Sequence, residues 1–479
     1  MDKENPESNL SEITNEDNIC ALATPAGGAI GIIRVSGKNA ISITDKIFHA
    51  ANGNPLSEAK ANTVHYGEIV DAENNTIDDV LVTVFRAPHS YTGEDSTEIS
   101  CHGSQYVLQQ VLQVLIANGC RQAKPGEYTR RAYMNGKMDL SQAEAVADLI
   151  GATNRATHKM ALSQLKGHFS NELAILREKL LKMTSLLELE LDFSDHEDLE
   201  FADRSELYAL AKQIEYRITT LAHSFETGNA LKQGIPVAIV GKTNVGKSTI
   251  LNLLLNEEKA IVSDIHGTTR DVIEDTTVIN NITFRFIDTA GIRKTKNKVE
   301  KIGIERTFQK INEATIILWV FDQTPTESEL KDMLDKTKDK KAIVVINKVD
   351  ELLDPHFAKV SETLEKIGEK TLGGLGLVMI SARLQLGINR LEDQLVKIAN
   401  IPEITENDVI VTSARHYEAL LHANEDLARV LESIDSNLSG DLIAEDLKLV
   451  LNDLGEITGG QINSQETLNN IFKHFCIGK

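Results

Sequence analysis

Apolar residues recur along the chain with three different spacings, and each spacing predicts a different kind of domain. Between residues 18 and 126 there are four short runs typical of β-strands, at 31–35, 64–69, 80–85 and 98–101. A helical stripe of apolar residues follows and ends near Gly119, a residue type that readily adopts the left-handed conformation of a helix cap. Short strands mixed with a helix indicate an N-terminal α+β domain over residues 18–126.

Two long segments that are almost free of proline, 127–230 and 401–479, carry helical spacing. In the first, apolar residues recur at steps of three and four from Leu162 to Leu191, which defines one face of a single long helix. Each segment offers one apolar face that needs a partner. We therefore predict that the two segments pack together as one discontinuous α-helical domain.

The sequence between these segments, 231–400, follows a third pattern. Its continuous apolar runs lie at 237–240, 284–287, 316–321, 343–346 and 377–380. Strands that are apolar on both faces are typical of a parallel sheet covered by helices. The pattern predicts an inserted α/β domain with a doubly wound sheet.

The charge and the cysteines restrict the possible partners. The 479 residues include 50 Lys and Arg against 71 Asp and Glu, a net charge of −21, so a polyanion would need a local basic patch or a second protein. Residues 1–17 are acidic and polar, which predicts a disordered tail. No apolar run approaches the ~20 residues of a membrane span, so we expect no membrane partner. Four scattered cysteines favour the cytoplasm.

The first apolar run of the insert leads directly into Gly241-Lys242-Thr243-Asn244-Val245-Gly246-Lys247-Ser248, and a helical run follows. A strand, a glycine-rich loop and a helix in this order form a phosphate-binding P-loop. Its backbone N–H groups surround the phosphates, and Lys247 neutralises the β and γ charges. The Ser248 hydroxyl is a candidate ligand for Mg²⁺.

Two further motifs can reach the metal and the γ-phosphate. Gly267-Thr268-Thr269-Arg270-Asp271 is a polar loop that offers hydroxyls to Mg²⁺. Asp288-Thr289-Ala290-Gly291 follows the second apolar run; there Asp288 can hold a metal-bound water and the Gly291 N–H can meet the γ-phosphate.

The base is predicted by the motif that ends the fourth apolar run, Asn347-Lys348-Val349-Asp350. A carboxylate only accepts hydrogen bonds, so Asp350 suits the N1–H and 2-amino donors of guanine, whereas adenine would leave it unpaired. Ser381-Ala382-Arg383 after the last run completes the base pocket through its backbone. We expect the nucleotide to be GTP.

Spacing leaves the catalytic residue open. Ile292 stands where many GTPases place the glutamine that orients the attacking water, so catalysis must be arranged another way. A nearby acid could orient the water, and Glu300 and Glu305 are both candidates. The chain ends in Phe475-Cys476-Ile477-Gly478-Lys479, with a thiol and a cation beside apolar residues. Because chain ends normally fray, we interpret this tail as a docked C-terminal anchor.

Six segments spread over the chain form a distinctive set: Gly31-Ile32-Ile33-Arg34-Val35-Ser36-Gly37, Tyr91-Thr92-Gly93-Glu94-Asp95, Pro125-Gly126-Glu127, Asp139-Leu140-Ser141-Gln142-Ala143-Glu144-Ala145, Gly267-Thr268-Thr269-Arg270-Asp271 and Cys476-Ile477-Gly478-Lys479. Together with the G-domain motifs they resemble the MnmE (TrmE) family of tRNA uridine-modifying GTPases, over nearly all of the chain after the acidic tail. The resemblance implies a folate-binding N-terminal domain that dimerises, a helical domain split by a G domain, and a flavoprotein partner, MnmG, in a heterotetramer. Together they would modify C5 of the wobble uridine of certain tRNAs, which bind through the complex.

The resemblance also implies a role for individual residues. Glu300 would position the attacking water, and Cys476 would lie beside a bound 5-formyl- or 5,10-methylenetetrahydrofolate. The implied folate ligands are Arg34, Glu98, Lys137 and Lys479. The implied K⁺ ligands are Asn244, Ser263, Ile265 and Thr268, and those of Mg²⁺ are Ser248 and Thr269. The implied GTP-binding set is Asn244, Val245, Gly246, Lys247, Ser248, Thr249, Ser263, Asp264, Ile265, His266, Gly267, Thr268, Thr269, Asp288, Thr289, Ala290, Gly291, Asn347, Lys348, Asp350, Ser381, Ala382 and Arg383.

Two positions depart from the family pattern: Thr243 replaces the usual proline, and Ser104 replaces a glycine. Both changes are small. The expected function is a potassium-dependent GTP hydrolase that modifies tRNA with a folate and a flavoprotein partner. The alternatives are a ribosome-assembly GTPase, which the net charge of −21 disfavours, and a non-catalytic GTP-regulated scaffold.

Overall fold

The computed structural model describes residues 17–192, 203–255, 275–287, 312–323, 325–326, 328–329, 335, 337, 340–351, 375–402, 404–405, 408–460, 468, 471–473, 475 and 478. The chain forms two compact units. The first unit comprises Met1–Ile150, Gln164–Arg177 and Leu451–Lys479, and the second comprises Gly151–Ser163 and Glu178–Val450.

The first unit is built on a seven-stranded sheet. Its strands are β1 (Asn18–Leu22), β2 (Ile30–Ser36), β3 (Phe48–Ala50), β4 (Thr63–Val70), β5 (Thr76–Phe85), β6 (Ser96–His102) and β7 (Cys120–Gln122). The strand order is β3-β4-β5-β6-β2-β1-β7, and every pair is antiparallel except β1 with β7. The four strands predicted between residues 31 and 101 are confirmed.

Helices α1 (Ala40–Ile47) and α2 (Gln105–Ala117) cover one face of this sheet. Their apolar residues share a core with inward-facing strand residues such as Ile33, Val82 and Ile99. The opposite face carries polar residues and several exposed apolar ones, which is the alternation expected of an antiparallel sheet. Helices α3 (Glu127–Met134) and α4 (Leu140–Ile150) follow β7.

The long helix predicted from Leu162 to Leu191 is two helices, α5 (Arg155–Leu165) and α6 (His168–Asp192). The break lies at Gly167, whose φ of 82° is in the left-handed region, and its N–H donates to the carbonyl of Gln164. Such a residue ends a helix, so the apolar spacing continues across a turn that spacing alone does not reveal.

The second unit contains a six-stranded sheet. Its strands are β8 (Ile235–Gly241), β9 (Asp275–Ile279), β10 (Ile282–Phe286), β11 (Ile316–Phe321), β12 (Lys341–Ile346) and β13 (Leu375–Met379). The order is β13-β12-β11-β8-β10-β9, and the five predicted strands are parallel. β9 was not predicted and pairs antiparallel to β10 at the edge, so the sheet is mixed.

Within the predicted insert, α8 (Lys247–Leu255) follows β8 and α9 (Ile388–Ala399) follows β13. The second unit also contains α7 (Arg204–Gln233), α10 (Ala414–Asp435) and most of α11 (Gly440–Thr458). α7 and α10 pack together, and the rings of Phe225 and Tyr417 stack with centroids 4.5 Å apart. Among the described residues, no helix has the length and apolar character needed to span a membrane.

Candidate functional site

The P-loop joins β8 to α8 with backbone conformations that its sequence permits. Asn244 and Gly246 have φ values of 63° and 99°. A Cβ atom at Gly246 would collide with the side-chain amide of Asn347, and one at Gly241 would collide with the carbonyl of Val320. Both positions therefore require glycine, and the loop backbone remains accessible to a ligand.

The side-chain ammonium of Lys247 is hydrogen-bonded to the backbone of the P-loop. The Lys247 ammonium donates to the carbonyls of Gly241 and Lys242, at 2.7 and 2.5 Å. Ser248 and Thr249 follow in the first turn of α8, where backbone N–H groups and the helix dipole favour an anion. This part of the chain suits a phosphate group.

Ser248 supplies an oxygen suited to Mg²⁺. The Ser248 hydroxyl is a hard ligand in the first turn of α8, and Mg²⁺ usually binds through a few protein oxygens together with substrate phosphates. Within the part of the chain that the structure describes, no group of three His, Cys, Asp or Glu side chains could hold a metal. The donors present fit a metal shared with a nucleotide.

Asn347 connects the two ends of the nucleotide site. It is 3% exposed, its Nδ2 donates to the Val245 carbonyl at 2.8 Å, and its Oδ1 accepts from the Ala382 N–H at 2.9 Å. These contacts hold the P-loop and the Ser381-Ala382-Arg383 segment in one frame. The two motifs that the sequence predicts for phosphate and base are thus brought together.

At the base end, Asp350 is exposed and stays ionised. A hydrogen bond from the Ser381 side chain, supported by the charge of Arg383, lowers the pKa of the Asp350 carboxyl from its usual value. The Lys348 ammonium pairs with Asp322 at 3.0 Å. An ionised, accessible acceptor next to Ser381 and Arg383 can recognise the paired donors of a guanine ring.

A second group of predicted residues lies in the first unit. Arg34 on β2 and Glu98 on β6 are direct cross-strand partners, and the Arg34 guanidinium donates to Glu98 Oε1 from Nε at 2.9 Å and from Nη2 at 2.8 Å. The Nη1 atom of Arg34 donates to the carbonyl of Gly478 at 3.3 Å. The C-terminal tail therefore reaches the predicted folate ligands.

The position of the tail against β1 requires glycine at residue 478. Its φ is 93°, and a Cβ atom there would collide with the carbonyl of Leu22 at the end of β1. The third described folate candidate, Lys137, donates to the Pro88 carbonyl at 2.8 Å, in the loop between β5 and β6. Arg34 and Glu98 are joined directly, and Lys137 contacts the neighbouring loop.

Comparison with known proteins assigns the family. The family model described as "MnmE helical domain" matches residues 140–476, and that described as "GTP-binding protein TrmE N-terminus" matches residues 18–137. The chain is 54% identical to the tRNA modification GTPase MnmE of Phocaeicola vulgatus, covering 98% of this chain and 100% of that one. The protein of the same name from Bacteroides fragilis is 56% identical, covering 97% and 100%. The chain belongs to the MnmE (TrmE) family.

Membership of the MnmE family confirms two expectations. The fold comprises an N-terminal TrmE domain, a helical domain and a P-loop G domain, and the enzyme is a GTPase that acts in tRNA modification. Among solved structures, Era from Aquifex aeolicus bound to GDP.AlF4- is 30% identical, with a TM-score of 0.26, over 40% of this chain and 66% of that chain.

The sequence did not predict a buried cluster of charges in this MnmE-family chain. Arg131 and Glu127 on α3 are each 2% exposed and pair at 3.1 Å, and Arg131 also pairs with Glu94 at 3.1 Å. Arg121 pairs with Glu127 and with Asp17, the last residue of the predicted tail. Glu94 and Glu127 lie in segments that carried the family resemblance. Glu127 pairs with residues four and six positions away, whereas Glu94 pairs with Arg131, 37 positions away.

The remaining predicted residues lie outside the described residues, as do residues 1–16 of the predicted tail. They are Ser263, Asp264, Ile265, His266, Gly267, Thr268, Thr269, Asp288, Thr289, Ala290, Gly291, Glu300, Cys476 and Lys479.

Proposed function

We propose that this MnmE-family enzyme hydrolyses GTP with the help of K⁺ and, together with an MnmG-type flavoprotein, modifies C5 of the wobble uridine of certain tRNAs with a one-carbon folate. The observation that carries the folate part is the meeting of Arg34, Glu98 and the tail carbonyl of Gly478 at one point. A net charge of −21 favours tRNA binding through the complex. Buried free thiols at Cys20, Cys101 and Cys120 fit a cytoplasmic enzyme.

The Arg34–Glu98 pair suits a reduced folate such as 5-formyl- or 5,10-methylenetetrahydrofolate. The two side chains are 22% and 28% exposed, so a ligand can reach both. A pterin edge carries adjacent amide and amino donors and a carbonyl acceptor, which match a carboxylate beside a guanidinium. Lys137 and Lys479 would supply cations for the glutamate carboxylates. The folate itself would supply the one-carbon unit.

In the G domain, the described residues suit binding and orientation of GTP. Lys247 and the first turn of α8 would hold the phosphates, and Asp350 would select guanine. Ser248 would hold Mg²⁺, and the side-chain oxygen of Asn244, in the exposed part of the P-loop, suits a monovalent cation. K⁺ would supply positive charge next to the phosphates, where the transition state gains negative charge. Glu300 is proposed to position the attacking water.

The sheet face that carries the folate pair supports a homodimer. Register places Val64, Thr83, Glu98 and Arg34 in one row across β4, β5, β6 and β2. The adjacent row on the same face contains Tyr66, Leu81, Ser100 and Ile32.

In these rows Val64, Tyr66 and Leu81 are exposed, an arrangement that a second copy of the same face would bury. Because the folate pair and the apolar residues share this face, dimerisation would enclose the folate site. The variant Leu81→Glu should therefore yield monomers in sedimentation, whereas Tyr106→Glu, on α2, should remain dimeric. A Leu81→Glu chain that is fully dimeric would contradict the proposed interface.

Analysis of tRNA nucleosides tests the whole proposal. The strains compared are a strain that lacks the gene and the same strain carrying the wild-type chain, Arg34→Ala or Tyr106→Ala. We expect the C5 modification of the wobble uridine with the wild type and with Tyr106→Ala, and its loss with Arg34→Ala. Arg34→Ala should hydrolyse GTP at the normal rate, because the G domain lies in the other unit. Normal nucleosides in the deleted strain would refute the proposal.

A further inference from the structure

Tyr91 presents an aromatic surface beside the Arg34–Glu98 pair. It lies in the loop between β5 and β6, and its ring centroid is 5.6 Å from the Arg34 guanidinium carbon. The ring of Tyr128 is also 5.6 Å from that carbon, but Tyr128 is fully buried, whereas Tyr91 is 39% exposed. Of these two rings, Tyr91 is the one that a bound molecule can reach.

The position of Tyr91 is fixed by α3. Its hydroxyl and the Thr129 hydroxyl are 2.8 Å apart, and the carbonyl of the next residue, Thr92, accepts from Asn135 Nδ2 at 2.8 Å. The Thr92 hydroxyl also bonds with Ser36, two residues beyond Arg34 on β2, at 2.7 Å. The ring is therefore held in place before any ligand binds, which reduces the entropy lost on binding.

The candidate site combines a charged pair, Arg34 and Glu98, with the aromatic ring of Tyr91. Arg34 uses Nε and Nη2 on Glu98 and Nη1 on the Gly478 carbonyl, so the guanidinium and the carboxylate keep one orientation. The ring of Tyr91, a residue that is 39% exposed, has its centroid 5.6 Å from the guanidinium carbon of this pair. A flat heterocycle that carries hydrogen-bonding groups along one edge matches both features, whereas a flexible glutamate tail matches the charge only.

We propose that Tyr91 is a ligand-binding residue whose ring packs against the pterin of the reduced folate, while the pterin edge meets Arg34 and Glu98. This inference rests on the folate site of the proposed function and assigns it a residue that determines ring specificity. Stacking of a heterocycle on an aromatic side chain is worth about 1–3 kcal/mol, which corresponds to a roughly 5- to 150-fold change in affinity.

Calorimetry with the full chain and 5-formyltetrahydrofolate tests this contact. Tyr91→Leu should weaken binding at least about fivefold, and Tyr91→Phe, which keeps the ring and loses the bond to Thr129, should remain within about threefold of the wild type. Tyr106→Leu removes an aromatic ring that is 70% exposed on α2 and should bind normally. The rate of GTP hydrolysis should be equal in all four proteins.

A fragment of the ligand separates contact with the ring from a general disturbance of the site. With 5-formyltetrahydropterin, which lacks the aminobenzoylglutamate, Tyr91→Leu should lose the same factor as with the complete folate. Equal affinity of Tyr91→Leu and the wild type, or a loss seen only with the glutamate-bearing ligand, would refute the inference and leave the folate site intact. A wild-type chain that binds no folate would refute the folate site and this inference together.

Discussion

Asn347→Ala should weaken guanine-nucleotide binding, because Asn347 holds the P-loop and the Ser381-Ala382-Arg383 segment together by hydrogen bonds within the protein. The substitution leaves the Val245 carbonyl and the Ala382 N–H without their partners, at buried positions where the original bonds measure 2.8 and 2.9 Å. A buried polar group without a partner costs about 1–3 kcal/mol, so the two groups together cost about 2–4 kcal/mol after partial relaxation. Most of this cost falls on the arrangement of the two loops that binds the nucleotide.

At about 1.4 kcal/mol per factor of ten, this cost corresponds to an affinity roughly 30-fold or more below that of the wild type. Titration with a fluorescent GDP analogue measures the change, and thermal unfolding shows whether the G domain remains folded. The matched control is Asn389→Ala, an exposed asparagine on α9 whose loss should leave binding unchanged. If folded Asn347→Ala binds the nucleotide within threefold of the wild type, the bridge between the two loops does not support the site.

Three further predictions concern the ion, the buried charges and the tail. GTP hydrolysis should be faster in K⁺ than in Na⁺ at matched ionic strength. The variant Asn244→Gly, in which glycine tolerates the φ of 63°, should still bind GTP but hydrolyse it at equal rates in the two salts. Equal wild-type rates in both salts would contradict the ion site. Burial raises the pKa of Glu127, but hydrogen bonds and charges, chiefly those of Arg121, outweigh it and leave the pKa below its usual value. The ionised Glu127 therefore stabilises the fold above the ordinary pKa of a glutamate, and this stabilisation is lost as the pH falls through the lowered pKa. Glu127→Gln should make the midpoint of thermal unfolding less sensitive to pH below about 5. An unchanged dependence of that midpoint on pH would disprove this. Deleting residues 476–479 should abolish tRNA modification and leave GTP hydrolysis nearly unchanged; parallel loss of both would make the tail a structural anchor.

Much of the fold followed from local pattern. The continuous apolar runs of the insert are strands β8, β10, β11, β12 and β13, because a strand buried on both faces has to be apolar throughout. The edge strand β9 was missed because its sequence, Asp-Thr-Thr-Val-Ile, is half polar and its pairing depends on β10. The short strands β1 and β7 form a parallel pair across about a hundred residues, a contact that no local spacing encodes.

The chemistry of the G domain could likewise be read from spacing, since the P-loop and the guanine motif are contiguous and each supplies its own groups. The tertiary contacts that hold these groups in place could not be predicted from the spacing. Asn347 belongs to a predicted motif, yet its bond to Val245 joins residues 102 positions apart. Charged residues such as Arg131 and Glu94 would be taken as solvated from sequence, yet both are largely buried, and their pairing offsets part of the cost of removing each charge from water.

The sequence by itself therefore determined most of the elements, the nucleotide and the family, because backbone propensity and motif chemistry act between near neighbours. Only the tertiary structure decided that the C-terminal tail contacts Arg34, that Tyr91 lies beside Arg34, and that Arg131 is buried against Glu94. Desolvation and charge pairing depend on which distant residues come together in space, and that is a property of the folded chain as a whole.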